Sequence, residues 1–576
     1  MSDRCIPVTH GTDSPRSARY SLNFGHDKGI GFRPSLAASE LGTGPCRGRS
    51  GHDRQRENRG SPIRRNPDLQ GHSVCCPPVG PLRWQPPHAP SPWAGIRQAT
   101  SFFPACPQLE TYPPDAPKEQ SSEDCLALNV WAPVPRSNTK LPVMVWIHGG
   151  GLTGGSGSVP QYAGEQLASH GVIVVTLNYR LGALGFLAHP ELNKESAHGV
   201  SGNYGLLDQI RALQWVQRNI AAFGGDPDRV TIFGQSSGSF SVSMLASTPL
   251  AKGLFRRAIG QSGAVFEPVE LDPRFTPDGS AEVGLTFARK AGAKSLADLR
   301  RLPFAALLKL PFSPQFNVDG YVLPKSPRDA YASGSQNDSD LLIGTNASEG
   351  SFFFDSRKVT TTNFDAVLER TYPSILLRAI GASPGKTDSD ARLAAVAIDS
   401  DLRFIWDMWA WARNASKTGR RPVYFYSFTQ PPAYRPGHPL FGLGPTHGAE
   451  LPYVFGDLDP NVADWNSNDR ALSEAVQLYW TNFAKTGDPN GANLPRWPKF
   501  DRQGAWVMQL GPMLQASVVA DQSRLRRIDQ VYGVARFVYW HLYGVLAVAG
   551  LLLIAFVAGL YRFFRARRSR VANRRP

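Results

Sequence analysis

The 576-residue chain contains only 12 histidines and 6 cysteines, and these do not group with acidic residues at metal-ligand spacing. We therefore expect neither a metal nor another cofactor. Residues 1–30 contain no apolar run of the 7–15 residues that an export signal needs. These absences exclude a metalloenzyme and a recognisable signal peptide in the sequence as it stands.

The net charge of the chain is +15, but over most of its length the basic and acidic residues nearly balance. Residues 1–70 contain 12 basic and 7 acidic side chains, and residues 562–576 contain seven arginines and no acid. The long middle segment, 71–561, is left with a net charge of only +3. This near-neutral segment gives no reason to expect a nucleic-acid partner.

The most informative motif is Gly234-Gln-Ser-Ser-Gly238, which has the pattern G-x-S-x-G. A β-branched apolar run at 229–233 precedes it, and residues 239–246 can continue as a helix. Strand, motif and helix in this order predict a nucleophile elbow, a sharp turn that exposes the hydroxyl of Ser236. Side chains at the two glycine positions would collide with the strand or the helix.

A serine hydroxyl needs a base, and in this type of site the carboxylate and then the histidine follow the serine along the chain. Only His438, His447 and His541 come after Ser236. His541 lies in a membrane-type apolar run, and His438 lies in a loop that no ordered element positions. His447 lies in a glycine-rich loop that an apolar segment anchors, so it is the favoured base.

The carboxylate that orients the base is expected at the end of an apolar strand. The segment 340–350 looks like such a strand, followed by a loop with Glu349 at its tip. Glu349 is the favoured residue, and Asp340 and Asp355 are the competing acids.

The developing oxyanion needs pre-aimed N–H donors. An apolar strand, 141–147, leads directly into His148-Gly-Gly-Gly151, where the backbone can approach a bound carbonyl closely. We expect the N–H groups of Gly150, Gly151 and Ser237 to form the oxyanion hole.

Several further stretches make the chain resemble the type-B carboxylesterases, the cholinesterase-like branch of the α/β-hydrolase superfamily, from about residue 77 to 515. The matching stretches are 77–84, 122–131, 202–216, 219–227, 261–263, 482–490 and 496–498. The resemblance implies an α/β fold with a large, mostly parallel sheet covered by helices on both faces. It implies a catalytic domain over 77–515 that hydrolyses small-molecule esters through an acyl-enzyme.

The same resemblance places Ser236, Glu349 and His447 on the family's catalytic triad and Cys106 and Cys125 on its first disulfide. The chain departs from the family at Ser237, where alanine is usual, and at Leu152, where an aromatic residue is frequent. Because the donor at 237 is the main chain, the oxyanion hole should survive the first change. The second is expected to alter the substrate pocket.

Residues 537–561 contain no Asp, Glu, Lys or Arg and predict one C-terminal transmembrane helix. As a helix they would be about 37 Å long, enough to cross the roughly 30 Å hydrocarbon core. The arginines of 562–576 favour a basic cytoplasmic tail, with 516–536 as a juxtamembrane link. We therefore expect a single-pass membrane protein whose catalytic domain lies outside the cytoplasm, in agreement with a disulfide.

Residues 1–76 do not fit this topology. Permitted codons for residues 71–76 read, one base later, as the Gly-Ile-Pro-Tyr-Ala that the family carries before Pro77-Pro78. Our hypothesis is that this leader is an out-of-frame translation, and the alternative is a disordered basic leader. Resequencing across the Pro77 codon separates the two.

Other interpretations of the chain stay open at this point. A non-catalytic cholinesterase-like adhesion or scaffold protein has a similar architecture, but such relatives typically lose the serine. A lipase or amidase of the same fold is a third possibility. Trp406, Trp409 and Trp411 are candidates for a pocket wall, although core packing is the commoner role for that spacing. The oligomeric state is not predicted.

Overall fold

The computed structural model describes residues 69–572, apart from positions 93, 96, 97, 110, 114, 115, 134–138, 502–505 and 519–521. Its strands are β1 (Leu69–Ser73), β2 (Ala127–Trp131), β3 (Leu141–Ile147), β4 (Ile173–Leu177), β5 (Gly225–Gln235), β6 (Arg257–Gln261), β7 (Asp340–Asn346), β8 (Val423–Phe428), β9 (Trp506–Leu510) and β10 (Gln515–Val518). They form one ten-stranded sheet over the described residues, in the order β1-β2-β4-β3-β5-β6-β7-β8-β9-β10.

The seven strands from β4 to β9 in this order are parallel, and antiparallel pairs close the sheet at both edges. Parallel strands are covered on both faces, and their sequences accordingly read as continuous apolar runs rather than alternating ones. The run Leu141–Ile147 is an example, with six of its seven residues buried.

The helices fill the connections between strands. They are α1 (Glu165–Ser169), α2 (Gly182–Phe186), α3 (Pro190–Glu195), α4 (Tyr204–Asn219), α5 (Ser237–Leu245), α6 (Pro277–Lys290), α7 (Leu296–Arg301), α8 (Phe304–Leu307), α9 (Pro327–Ala332), α10 (Phe364–Leu368), α11 (Ser374–Ala379), α12 (Asp388–Ser400), α13 (Trp406–Thr418), α14 (Leu451–Phe455), α15 (Ser467–Thr486) and α16 (Ser523–Ala572). Short 3₁₀ helices cover Gly80–Leu82, Pro160–Tyr162, Ile220–Phe223, Pro249–Ala251, Val269–Leu271, Pro273–Phe275, Glu349–Phe352 and Ser356–Lys358, and Asp401–Ile405 is π-helical.

Two apolar cores lie on opposite faces of the sheet. Because side chains alternate along a strand, Val143 and Val145 of β3 belong to one core and Met144 and Trp146 to the other. Helices α4, α5, α12 and α13 cover the first face, and α14 and α15 cover the second. The mostly parallel sheet with helices on both faces, which the sequence predicted, is confirmed.

The first strand begins inside the stretch that the sequence assigned to a disordered or out-of-frame leader. β1 pairs antiparallel with β2, and the side chains of Val74, Cys75 and Cys76 that follow it are buried. The folded domain therefore includes at least the eight residues before Pro77. They add an antiparallel edge strand to the sheet and bury apolar side chains in the core. Residues 1–68 lie outside the described part of the chain, and the reading-frame hypothesis stays a prediction.

Helix α16 begins inside the stretch predicted as a juxtamembrane link, and its first turns pack on the catalytic domain. Leu525 and Ile528 are 6% and 0% exposed, and Asp529 forms a 3.1 Å ion pair with Arg413. Arg536 is buried, and its Nε donates to Glu270 Oε1 at 3.1 Å. Residues 523–536 are thus an amphipathic part of the folded domain.

Beyond Arg536 the helix carries apolar side chains that face outward. No single helix among the described residues is long and apolar enough to cross a bilayer. The segments Ser523–Leu542 and Leu546–Arg562 meet the length and composition test only as a pair, with an 81° bend between them. His541, with φ −114° and ψ 16°, departs from helical geometry at this bend. The C-terminal transmembrane helix predicted over 537–561 is therefore not confirmed.

Candidate active site

Ser236 lies in the one-residue turn between β5 and α5, with φ 56° and ψ −126°. Positive φ is unusual for a residue with a side chain and occurs where the surrounding structure enforces it. A Cβ at Gly234 would lie 2.6 Å from Gly238, and a Cβ at Gly238 would lie 2.0 Å from the carbonyl oxygen of Ile147. The two glycines are therefore needed for the turn that leaves Ser236 half-exposed at the sheet edge.

Glu349 and His447 meet at the same edge. Glu349 starts the 3₁₀ helix that follows β7, and His447 lies in the loop before α14. The Nδ1 of His447 is 2.6 Å from Glu349 Oε2, and both side chains are buried. The backbone N–H of Asn346 donates to the other oxygen, Oε1, at 2.7 Å. Because a carboxylate only accepts, Nδ1 carries the proton of this contact and Nε2 is the basic nitrogen.

The Nε2 of His447 faces the side chain that precedes the serine. It lies 3.2 Å from Gln235 Nε2, while the hydrogen bonds found among the described residues include none between Ser236 Oγ and His447. Aromatic rings hold the imidazole from the other side: Phe404 stacks on it at 4.5 Å and 8°, and Phe352 and Phe353 lie at 5.7 and 5.3 Å. The His447 ring is thus fixed by a carboxylate, an amide and three aromatic rings.

The glycine loop after β3 was predicted to supply main-chain donors. Gly150 and Gly151 adopt φ 107° and 62°, and neither N–H donates to an acceptor among the described residues. The N–H of Ser237 opens α5, where the first turn of a helix has no acceptor of its own. The N–H groups of Gly150, Gly151 and Ser237 are thus main-chain donors at the ends of β3 and β5 for which the described residues supply no acceptor.

His148 supports this loop as a neutral side chain. Its ring is buried, stacks on Tyr179 at 4.4 Å, and its Nδ1 donates to the carbonyl of Gly149 at 2.9 Å. Burial lowers the pKa of His148 to about 4. A charged imidazolium is therefore absent from the donor loop at neutral pH.

A cavity of about 150 Å³ opens beside the base. Its wall includes His447, Gly448 and aromatic rings, and Asp457 and Asp459 also contribute to it. The aromatic lining residues are Tyr112, Phe352, Tyr434 and Trp465. The cavity provides space for part of a small organic molecule beside the His447 loop.

The competing residues lie elsewhere. Asp340 forms a 3.3 Å ion pair with Arg257, and Asp355 pairs with Arg357 at 2.8 Å. His438 stacks on Tyr434 at 4.1 Å, and the Nδ1 of His541 lies near the Phe537 carbonyl.

The three tryptophans that were candidates for a pocket wall pack in the core instead. Trp406, Trp409 and Trp411 are buried in the core that α13 shares with the sheet, and they are not among the residues that line the cavity. Core packing, and not a pocket wall, is their role in this structure.

Sequence reasoning missed Gln235 and Phe404, which contact His447, and Tyr112 and Glu450, which bind neighbours of the site: Tyr112 donates to Gln235, and Glu450 accepts from Asn346. Glu450 is buried three residues after His447 and accepts from Asn346 Nδ2 at 2.6 Å and from Gln261 Nε2 at 3.0 Å. Burial and then the nearby Glu349 carboxylate raise the pKa of Glu450. Its i, i+3 spacing from His447 was a usable signal, whereas the distant Tyr112 and Phe404 gave none.

Two other predictions concern covalent and metal chemistry. Cys106 and Cys125 form the expected disulfide, with their Cα atoms 5.0 Å apart. No group of three or more His, Cys, Asp or Glu side chains in the described part of the chain is arranged to hold a metal ion.

Comparisons with known proteins identify relatives over most of the chain. A family profile described as "Carboxylesterase family" matches residues 75–526. Fumonisin B1 esterase of Sphingopyxis macrogoltabida is 39% identical over 466 residues, which cover 77% of this chain and 82% of that protein. Para-nitrobenzyl esterase of Bacillus subtilis (strain 168) is 36% identical over 451 residues, covering 74% and 87%. A solved PNB esterase structure matches with a TM-score of 0.70 at 33% identity, covering 81% of this chain and 97% of that one.

Proposed function

Because the chain belongs to the carboxylesterase family, the type-B branch of the α/β-hydrolase superfamily, and is a serine ester hydrolase, we propose that Ser236 is its nucleophile, His447 its base and Glu349 the carboxylate that orients the base. The observation that carries this assignment is the 2.6 Å contact between His447 Nδ1 and Glu349 Oε2. It lies at the edge where the parallel strands β5 and β7 end, the usual position of sites in such sheets.

In the proposed reaction, Ser236 Oγ attacks the ester carbonyl while His447 Nε2 takes its proton. The buried Glu349 carboxylate keeps the proton on Nδ1 and stabilises the imidazolium that forms. His447 then protonates the leaving alcohol, and the acyl group stays on Ser236. Water repeats the sequence with the same base and releases the acid.

The tetrahedral oxyanion would be held by the N–H groups of Gly150, Gly151 and Ser237. Their lack of acceptors among the described residues supports this role, because donors left unpaired by the fold are available to a substrate oxygen. The loss of one such donor typically costs about 3 to 4 kcal/mol of barrier.

The substrate is a small-molecule ester, and the cavity beside His447 is the place for one of its two parts. Its aromatic walls favour an apolar or aromatic group, and its volume of about 150 Å³ favours a small one. p-Nitrophenyl butyrate meets both conditions and is the first substrate to test.

We further propose that residues 537–561 anchor the enzyme in a membrane as a single pass, with the catalytic domain outside the cytoplasm. Support comes from apolar side chains that face away from the domain, such as Leu551, Leu553 and Ile554 at 63–66% exposure. The seven arginines of 562–576 favour a cytoplasmic end. Carbonate extraction and protease protection of the full chain test both points, and release of the chain into the carbonate supernatant would contradict the anchor.

The catalytic assignment is tested with p-nitrophenyl butyrate and a fluorophosphonate probe on the full chain. We expect Ser236→Ala to lose at least about 10³-fold in kcat and all labelling. The exposed Ser335→Ala is the matched control and should keep both. Labelling of another residue, or undiminished turnover by Ser236→Ala, would overturn the assignment.

A further inference from the structure

Gln235, the residue before the proposed nucleophile, connects the base to the cavity wall. Its side chain is fully buried. Its Nε2 lies 3.2 Å from His447 Nε2, and its Oε1 accepts a hydrogen bond from the Tyr112 hydroxyl at 3.0 Å. Tyr112 and His447 both line the 150 Å³ cavity. A chain of two hydrogen bonds therefore runs from the cavity wall to the basic nitrogen.

The donor and the acceptor in each of these hydrogen bonds follow from the groups at the two ends of the chain, Glu349 and Tyr112. Glu349 requires a proton on Nδ1 of His447, so Nε2 presents a lone pair. Only the amide nitrogen of Gln235 can donate to that lone pair, and the amide oxygen then faces Tyr112, whose hydroxyl donates. With the neutral His447 ring, the network is consistent in this amide orientation, with the oxygen toward Tyr112 and the nitrogen toward His447.

The Gln235 side chain is held in place by the two glycine loops of the site. A Cβ at Gly149 would come within 2.9 Å of Gln235 Oε1, and a Cβ at Gly448 would lie 3.7 Å from Gln235 Nε2 and 3.6 Å from the Tyr112 hydroxyl. The amide is thus clamped between the donor loop and the His447 loop. This fit makes it a built part of the site and not a chance contact.

On the basis of the proposed function, we propose that Gln235 is a positioning residue that holds the His447 ring through its lone pair and disfavours protonation of Nε2 before substrate binds, until the Ser236 hydroxyl replaces the amide as the donor to Nε2. An amide N–H stabilises a lone pair but repels an N–H on the same nitrogen. A carboxylate at this position would do the opposite and favour the protonated ring.

The other charged and titratable groups near His447 do not remove this effect. The groups that face the ring or its carboxylate are Glu349, Glu450, Tyr112, Tyr426, the Arg403–Asp399 pair behind Phe353, and Asp457 and Asp459 in the cavity wall. All of them are unchanged by a substitution at 235, so a comparison of variants isolates the amide.

The test is the pH dependence of kcat/KM for p-nitrophenyl butyrate in Gln235→Glu, which keeps the length and shape of the side chain. We expect the acidic limb to move up by about one pH unit, so that activity well below the limb falls about tenfold. The exposed Gln515→Glu adds the same charge elsewhere and should keep the wild-type limb. An unshifted limb in Gln235→Glu would overturn the proposal.

A second variant keeps the test decisive if Gln235→Glu fails to fold. Gln235→Met removes the N–H without adding charge, and we expect a smaller shift of the limb in the same direction. A wild-type limb in folded Gln235→Met would contradict the proposal. Fluorophosphonate labelling of Ser236 in each variant separates this outcome from a failure of the proposed function, in which the wild type itself would be unlabelled.

Discussion

Glu349 and His447 are separated by 98 positions in the sequence, and yet Oε2 of one lies 2.6 Å from Nδ1 of the other with both side chains buried. The carboxylate arrives on the end of β7, and the imidazole arrives on the loop before α14. The contact leaves Nε2 as the basic nitrogen and turns it toward the end of β5.

Glu349→Gln tests the importance of this contact. The amide keeps the shape of the side chain but cannot stabilise the imidazolium, so we expect kcat to fall by about 10³ to 10⁴-fold. Asp355→Asn is the control, because Asp355 pairs with Arg357 away from the base, and it should keep kcat within about twofold. Steady-state kinetics with p-nitrophenyl butyrate measures both. Near-normal kcat in Glu349→Gln would mean that another acid orients His447.

The parts of the site that sequence could predict are those in which a short motif dictates its own backbone. The elbow is of this kind, because any side chain at Gly234 or Gly238 would clash with nearby main chain. The order of serine, acid and histidine narrowed twelve histidines to three. The residues around the base, in contrast, come from distant segments: Tyr112 from a loop before β2 and Phe404 from the π-helical turn.

The ends of the domain were harder to predict for a different reason. The amphipathic turn of Leu525 and Ile528 stands directly before a long apolar run, whose stronger signal masked it. At the other end, the edge strand β1 contains His72 and Ser73, which lack the apolar character of the central strands. Edge strands need only one partner and one covered face, so their sequences are less distinctive.

Gly238→Ala tests the strain at the elbow. The added Cβ would lie 2.0 Å from the Ile147 carbonyl oxygen, so β3 or α5 must move. We expect a loss of at least about 1 to 3 kcal/mol in unfolding free energy and a loss of fluorophosphonate labelling. Gly533→Ala, with no atom within 4 Å of its Cβ in a helix, should instead be neutral or slightly stabilising. If urea unfolding gave the two variants equal stability, the close packing of Gly238 against the Ile147 carbonyl would be contradicted.

Ile528→Ala tests whether the start of α16 belongs to the folded domain. Ile528 is fully buried, so we expect the substitution to lower the unfolding free energy by about 2 to 4 kcal/mol. Val534→Ala on the same helix is the control, since Val534 is 64% exposed, and it should change stability by less than about 0.5 kcal/mol. Equal denaturant midpoints for the two variants would show that residues 523–536 are a loose link.

Glu267→Gln tests a pH-dependent strain beneath α16. Burial and then the Asp272 carboxylate raise the pKa of Glu267 to about 7 in the folded protein, and burial and Glu267 raise the pKa of Asp407. A raised carboxyl pKa means that the fold favours the protonated form. Its contribution to stability is therefore fully present below about pH 4.5 and is lost as the pH rises through 7.

The expected outcome is a variant that gains stability relative to the wild type as the pH rises. At pH 4 the side chain at 267 is largely neutral in the folded and unfolded forms of both proteins, so they should unfold at similar urea concentrations. At pH 8 Glu267→Gln should be more stable, by up to about 3 kcal/mol. Glu282→Gln, at a side chain that is 63% exposed, should show no such gain. If Glu267→Gln kept the pH dependence of stability of the wild type, Glu267 would not be its source. Another buried group of this cluster, such as Asp407, would then be responsible.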